Sequence, residues 1–193
     1  MILIPEIKPN QSIELLKALH ILTRDGKLNQ DSRRKLKQVY HLFHFIEPLL
    51  EKVLASQTHL TLADHGAGKS YLGFILYDLF LKNREVGQLY GIETRAELVE
   101  KSLALAAKLN FSRMTFLNLS VEESIHSTQL PQKIDIVTAL HACDTATDDA
   151  IKFALHKQAQ YIVLVPCCQA EVATILNKNK NQSLSKTALS EIW

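Results

Sequence analysis

Short apolar runs alternate with longer segments whose apolar residues recur every three or four positions. From residue 60 onward the runs predict buried strands at about 60–63, 88–93, 114–117, 134–140 and 161–165. The periodic segments between them predict helices at 71–81, 96–109 and 145–156. Strands and helices that alternate in this way are typical of an α/β fold with a Rossmann-like, doubly wound parallel sheet. Right-handed crossovers then give the strand order 3-2-1-4-5.

Before residue 58 the pattern is helical only. Ser12 is expected to cap a first helix over 13–23, and Asp31 or Ser32 to cap a longer one that runs through about residue 55. Pro48 is expected to kink this second helix or split it in two. We therefore interpret residues 1–57 as an N-terminal helical extension and 58–193 as the main domain.

The second helix has a polar face that begins with basic residues. Lys35, Lys37 and Gln38 come before the aromatic residues Tyr40 and Phe43. Such a face could contact a phosphate backbone and stack on bases, as in RNA binding. It could equally be a solvated basic face, with the apolar residues of the same helix packed on the core.

Composition sets limits on class and compartment. The chain has 193 residues, of which 47% are hydrophobic and 22% charged, as expected for a soluble globular protein. No apolar run is long enough to span a membrane, and three cysteines give no disulfide framework, so we expect a cytoplasmic protein. A net charge of +2 argues neither for nor against nucleic acid.

A glycine loop follows the first predicted strand. Asp64, Gly66, Gly68 and Ser70 alternate with other residues, and a helix begins directly after them. Glycines at such a turn let backbone approach a nucleotide-type ligand. One interpretation is a relaxed phosphate-binding P-loop with Lys69 and Ser70; the other is the first motif of the S-adenosylmethionine-dependent methyltransferases, which the stretch resembles.

Two acidic positions favour the methyl donor. A carboxylate at Asp64 suits the ammonium of S-adenosylmethionine and would repel a triphosphate. A P-loop hydrolase also needs a carboxylate at the carboxyl end of a strand, whereas Asp135 lies at the amino end of the fourth one. Asp144 could substitute from the following loop, so the P-loop alternative stays open.

Two further loops make the resemblance more specific. The segments Leu140-His-Ala-Cys-Asp144 and Val165-Pro-Cys-Cys-Gln169 resemble those of class I methyltransferase domains that carry a His-x-Cys loop and a Pro-Cys-Cys loop. They are also similar to segments of the eukaryotic tRNA 2′-O-methyltransferases, although Gln169 stands where those enzymes have histidine. The resemblance covers about residues 35–193.

The resemblance implies roles for individual residues. The methionine end of the cofactor would lie on Asp64, Gly66, Ala67 and Gly68, with Glu93 on the ribose. Ser120 and Val121 would flank the adenine, and His141 would line the methyl side. Ser70 replaces a third glycine, and Ser120 replaces an acid. Both departures bear on the affinity for the cofactor more than on the identity of the cofactor.

The resemblance also implies a shortened chain. A complete class I sheet has a sixth and a seventh strand, and this sequence ends at Trp193 without them. We expect the fifth strand to be an exposed edge that could form a homodimer.

Histidine and cysteines meet at two neighbouring loops. His141, Cys143, Cys167 and Cys168 could bind zinc, but adjacent cysteines on an extended chain point apart, so no metal is predicted. A cysteine nucleophile is a second alternative, and thiols that shape the substrate pocket are the preferred one. His141 and Asp144 are the candidate catalytic bases.

These observations predict an S-adenosylmethionine-dependent methyltransferase that acts on RNA. The alternatives are a P-loop nucleotide hydrolase or kinase and a catalytically silent module that retains the cofactor fold.

Overall fold

The fold is a five-stranded parallel sheet with helices on both faces. A computed structural model describes residues 6–140 and 145–166. The strand order is β3-β2-β1-β4-β5, which confirms the predicted topology. The strands are β1 (Thr61–His65), β2 (Gln88–Glu93), β3 (Met114–Asn118), β4 (Ile136–Leu140) and β5 (Tyr161–Val165).

Six helices lie in the described residues. They are α1 (Ile13–Ala18), α2 (Gln30–Ser56), α3 (Tyr71–Leu76), α4 (Ala96–Lys108), α5 (Val121–His126) and α6 (Thr145–His156). α3 continues into a wider π-helical turn over Tyr77–Leu81, so the helix predicted at 71–81 forms with two different hydrogen-bond patterns.

The N-terminal helices differ from the prediction in three ways. α1 ends at Ala18 instead of continuing to residue 23. α2 begins earlier, because the side chain of Asn29, rather than Asp31 or Ser32, caps it by accepting a hydrogen bond from the Ser32 N–H at 2.8 Å. Pro48 does not split α2, since apolar residues on both sides of it pack on the same core and its ring lies on the exposed face.

The extension shares one apolar core with the sheet. Leu15, Phe43 and Leu50 of the first two helices are buried in the same cluster as Phe74 of α3 and Leu89 of β2. The Asp78 carboxylate also accepts a hydrogen bond from the Ser12 N–H at 2.8 Å. This packing places α2 beside α3 and the ends of the central strands.

No helix within residues 6–140 and 145–166 combines the length and the apolar character needed to cross a membrane.

Candidate functional site

The glycine loop leaves the carboxyl end of β1 as a tight turn. Gly66, Gly68 and Ser70 have φ values of 65°, 57° and 49°, so three alternate residues adopt the left-handed conformation. The Ala67 N–H donates a hydrogen bond to the Ile92 carbonyl of β2 at 2.9 Å, which fastens the loop across two central strands. A Cβ added at Gly66 would meet no atom of the described residues within 4 Å, so these residues leave open space over this part of the loop.

Asp64 lies beneath the loop rather than open to solvent. Its side chain is 2% exposed and accepts hydrogen bonds from the Ser70 hydroxyl at 2.9 Å and the Thr138 hydroxyl at 3.0 Å. Burial raises the pKa of Asp64 to about 6, although these hydrogen bonds lower it in part. Asp64 therefore connects β1, β4 and the start of α3, and holds the loop from below.

Gly73 allows α3 to approach Asp64 closely. A Cβ at this position would lie 2.3 Å from the Ser70 hydroxyl oxygen and 3.3 Å from the Asp64 carboxylate. The close approach of helix and strand thus lies at Gly73 and not at position 70, where the resemblance implies a third glycine. The signal in the sequence was the glycine three positions after Ser70, inside a predicted helix.

Glu93 ends β2 and contacts the loop. Its carboxylate, 6% exposed, accepts hydrogen bonds from the Gly68 N–H at 2.7 Å and from the Arg95 N–H and Nε at 3.1 and 3.0 Å. Burial alone would raise the pKa of Glu93, but the hydrogen bonds from Arg95 and Gly68 outweigh it and hold that pKa at about 2. A fixed negative charge thus lies beside the glycine loop, at the carboxyl end of β2.

Arg95 was not identified from the sequence. Its guanidinium forms an ion pair with Glu93, and its Nη2 lies 3.7 Å from the position of a Cβ on Gly68. The Arg95 side chain is 59% exposed, and its guanidinium donates hydrogen bonds to Glu93 from Nε and Nη2.

His65 is a second residue that sequence reasoning missed. Its ring packs on Phe153 of α6 with centroids 5.1 Å apart, and its Nε2 is buried without a hydrogen-bond partner among the described residues. Burial lowers the pKa of His65, while the carboxylates of Asp149 and Glu93 act in the opposite direction. The ring places an apolar contact and one buried polar nitrogen at the carboxyl end of β1.

Ser120 and Val121 lie where β3 leads into α5. The Ser120 hydroxyl caps α5 and exchanges hydrogen bonds with Glu123, which forms a capping box. Val121 packs against the apolar cluster that contains Ile92 and Leu117. Asn118 joins this corner to the end of β2 by donating to the Glu93 carbonyl at 3.0 Å.

Two of the predicted substrate residues border a cavity. Lys35 and Gln38 of α2 line a space of about 210 Å³, together with Tyr71 at the start of α3 and Leu140 at the end of β4. Lys37 is exposed on the same helix and is not among the described residues that line this cavity. Leu140 is the last described residue before His141.

The remaining predicted site residues fall outside the described ranges. These are His141, Cys143, Asp144, Cys167 and Cys168.

The loop lacks the features of a phosphate-binding P-loop. The Ser70 hydroxyl, which a P-loop would offer to Mg²⁺, is 1% exposed and donates to Asp64. The buried carboxylate of Asp135 lies at the opposite edge of the sheet, where it accepts hydrogen bonds from the N–H and the hydroxyl of Thr61. An acidic residue beneath the loop and another beside it make the site unfavourable for a triphosphate.

Comparisons with known proteins agree with this geometry. The family model described as "Methyltransferase domain" matches residues 34–175. No protein of curated function gave a significant sequence match.

Three solved structures illustrate the structural likeness. Magnesium protoporphyrin IX methyltransferase (ChlM) from Synechocystis PCC 6803, solved with bound SAH, is 17% identical with a TM-score of 0.51 over 90% of this chain and 74% of that one. The hMettl16 catalytic domain, in complex with an RNA hairpin of the MAT2A 3′UTR, is 9% identical with a TM-score of 0.52 over 77% and 62%. TrmK from M. capricolum, solved with SAH, is 16% identical with a TM-score of 0.42 over 54% and 45%.

At these identities the likeness to ChlM and to the hMettl16 domain shows a shared fold and nothing further. The present chain spans about half the length of the TrmK chain.

Proposed function

Because the chain belongs to the methyltransferase domain family, we propose that it is a methyltransferase that uses S-adenosylmethionine. One observation carries the proposal: the Gly68 N–H donates to Glu93 at 2.7 Å, so the glycine loop and an ionised carboxylate are held together at the ends of two central strands. In open α/β sheets, ligands bind in the crevice at this edge. This edge is the position proposed for a nucleoside ligand, with its ribose hydrogen-bonded to Glu93.

The residues present fit this cofactor. The described residues leave open space over Gly66. The ionised Glu93 carboxylate can accept hydrogen bonds from two ribose hydroxyls. Asp64 supports the loop from β1, and the Ala67 N–H of the loop donates a hydrogen bond to Ile92 of β2. Ser120 and Val121 border the neighbouring corner proposed for the adenine. When bound, the cofactor supplies an electrophilic methyl group on a sulfonium.

The chain's own task is to align the acceptor and remove its proton. The cavity beside Leu140 is proposed to hold the acceptor, with Lys35 and Gln38 as its polar contacts and Lys37 next to it on α2. His141 and Asp144 are proposed as the bases, since they follow Leu140 directly in sequence. Cys167 and Cys168 are proposed to shape the same pocket.

RNA is the proposed acceptor class. Lys35 and Gln38 place a cation and an amide at the mouth of the cavity, and Tyr71 adds an aromatic surface, a combination that suits a nucleotide. The fold is compatible with RNA, since the hMettl16 domain was solved with a hairpin bound. We further propose a cytoplasmic protein that pairs through β5, whose Ile162 is 38% exposed.

Calorimetric titration with S-adenosylhomocysteine (SAH) tests the proposed function. The parent protein should bind SAH, and ATP with Mg²⁺ should give no heat of binding. Glu93→Gln should weaken SAH binding by roughly tenfold or more, because hydrogen bonds to a charged group contribute about 1.5–3 kcal/mol. Asp135→Asn is the matched control, since it neutralises a buried carboxylate at the opposite edge of the sheet and should leave the affinity unchanged.

Other outcomes distinguish the alternatives. Binding of ATP with Mg²⁺ and not of SAH would replace the methyltransferase with a P-loop enzyme. SAH binding without methyl transfer to any RNA or protein pool would favour a silent cofactor-binding module.

A further inference from the structure

Three neighbouring cavities form a row along the helical side of the molecule. The cavity of about 210 Å³ beside α2 shares Tyr71 with a second of about 390 Å³ between α1, α3 and α4. The second cavity shares His20 with a third of about 310 Å³ between the end of α1 and the start of α2. Because adjacent cavities border the same residue, they lie next to one another, as subsites for an extended ligand would.

The lining of this row of cavities is basic. Among the described residues that line the three cavities, none is acidic. The basic residues, here named the basic track, are Lys17, His20, Arg24, Lys35, Lys69 and Lys101.

The lysines and the arginine of the basic track differ from other basic residues of the surface. Lys82, Arg84 and Lys152 form ion pairs within 4 Å. Within residues 6–140 and 145–166, no ion pair within 4 Å involves a member of the basic track. Lysine and arginine side chains without such a partner raise the local positive potential and favour a ligand with several negative charges.

We propose that the basic track binds the phosphodiester backbone of a single-stranded RNA and leads it to the cavity beside Leu140. The inference rests on the proposed function, because it supplies the RNA acceptor with a binding path. A membrane surface is flat and would not place its phosphates inside concave cavities. A protein partner would need acidic residues spaced along an extended segment. A nucleic acid strand has a negatively charged phosphate at every nucleotide.

Tyr71 and His20 support a strand with bases as well as phosphates. Tyr71 is half-buried at the wall between the first two cavities, where one ring face can stack on a base. His20 is exposed with φ of 54°, a left-handed conformation that glycine adopts more readily. His20 lines both the second and the third cavity.

The salt dependence of RNA binding tests the proposal. The double variant Lys17→Ala with Lys101→Ala should reduce the slope of log K against log salt by about 1.4, since each phosphate contact to a single strand contributes roughly 0.7. At 0.1 M salt this corresponds to roughly 25-fold weaker binding of a single-stranded RNA oligonucleotide, measured by fluorescence anisotropy. The control Lys52→Ala with Lys133→Ala removes two exposed charges outside the track and should leave the slope unchanged.

Two further comparisons keep the outcome specific. Tyr71→Ala should weaken binding roughly tenfold, whereas Tyr71→Phe should retain it, because stacking needs the ring and not the hydroxyl. Equal RNA affinity in the Lys17/Lys101 and Lys52/Lys133 variants would overturn the basic track, and so would tighter binding to vesicles of anionic phospholipid than to RNA. SAH titration of the Lys17/Lys101 variant separates the basic track from the proposed function. Intact SAH binding together with unchanged RNA binding contradicts the basic track and does not contradict the proposed function.

Discussion

At the residue scale, two carboxylates on neighbouring strands have opposite protonation behaviour. Asp64 and Glu93 are both buried, and burial by itself raises the pKa of each. Glu93 accepts hydrogen bonds from a guanidinium and two backbone N–H groups, which reverse the effect and lower its pKa to about 2. Asp64 receives neutral hydroxyl donors, which compensate only in part, and its pKa stays at about 6. Glu93 is therefore ionised at neutral pH, while Asp64 mainly supports the loop.

The pH dependence of stability should report the raised pKa of Asp64. Below about pH 4 the residue is protonated in both the folded and the unfolded chain, so its favourable contribution is fully present. Between pH 4 and 6 the unfolded chain loses this proton first, and the free energy of unfolding should fall by up to about 3 kcal/mol as pH rises. Asp64→Asn should remove this fall and should raise the free energy of unfolding at pH 7.5 by about 1–2 kcal/mol, as measured by urea unfolding. The same variant should bind SAH more weakly.

The Asp135→Asn variant provides the comparison for this measurement. It should retain the fall in stability between pH 4 and 6, because Asp64 is unchanged. The assignment to Asp64 is wrong if the Asp64→Asn variant keeps the same fall.

At the scale of elements, the junction of β1 and α3 combines a close approach with a strained residue. Ser70 adopts φ of 49° at the start of α3, and its hydroxyl occupies the space where a side chain at Gly73 would lie. A glycine at position 70 would adopt this conformation without strain. The Ser70 hydroxyl, however, is one of the donors that stabilise Asp64.

This junction predicts energetic coupling between positions 70 and 73. Gly73→Ala should lower the free energy of unfolding by about 2–3 kcal/mol, because the new Cβ would lie 2.3 Å from the Ser70 oxygen. Adding Ser70→Gly should recover about 1 kcal/mol or more of that loss, as measured in a double-mutant cycle by urea unfolding.

Gly66→Ala is the control for the coupling. The new Cβ would meet no atom of the described residues within 4 Å, so the loss in the free energy of unfolding should come only from the positive φ of 65°. This loss should not change when Ser70→Gly is added. Additive losses for positions 70 and 73 would contradict the proposed steric contact.

At the scale of the molecule, the helical extension and the sheet are joined by a common core. Phe43 of α2 is 1% exposed in the cluster that contains Phe74 and Leu89, whereas Phe45 on the opposite face is 60% exposed. The basic track crosses the same boundary, since it is lined from α1 and α2 as well as from α3 and α4. Packing of the extension therefore affects both stability and the proposed RNA path.

The common core predicts unequal effects of two phenylalanines in one helix. Phe43→Ala should destabilise the protein by about 3–5 kcal/mol through the lost burial and the cavity left behind. Phe45→Ala should change stability by no more than about 0.5 kcal/mol. Unfolding followed by far-UV circular dichroism and by loss of SAH binding should shift together for Phe43→Ala. Loss of helical signal at a lower urea concentration than SAH binding would show that the extension unfolds separately.

The sequence by itself determined the topology and the position of the glycine loop. Strand and helix periodicity are local properties, so the order 3-2-1-4-5 and the bounds of β2, α6 and β5 could be predicted from the chain. The glycines at 66 and 68 identified the loop, because their positive φ values are a local backbone requirement.

Only the tertiary structure decided how the site is held and charged. The bonds from Ser70 and Thr138 to Asp64, the ion pair of Arg95 with Glu93 and the close approach at Gly73 depend on which elements become neighbours. The same holds for the basic track, whose residues come from three helices, the α1–α2 connection and the glycine loop, and are far apart in the sequence. Hydrophobic periodicity records which face of an element is buried, but burial, hydrogen-bond partners and electrostatic potential depend on distances that only the folded chain fixes.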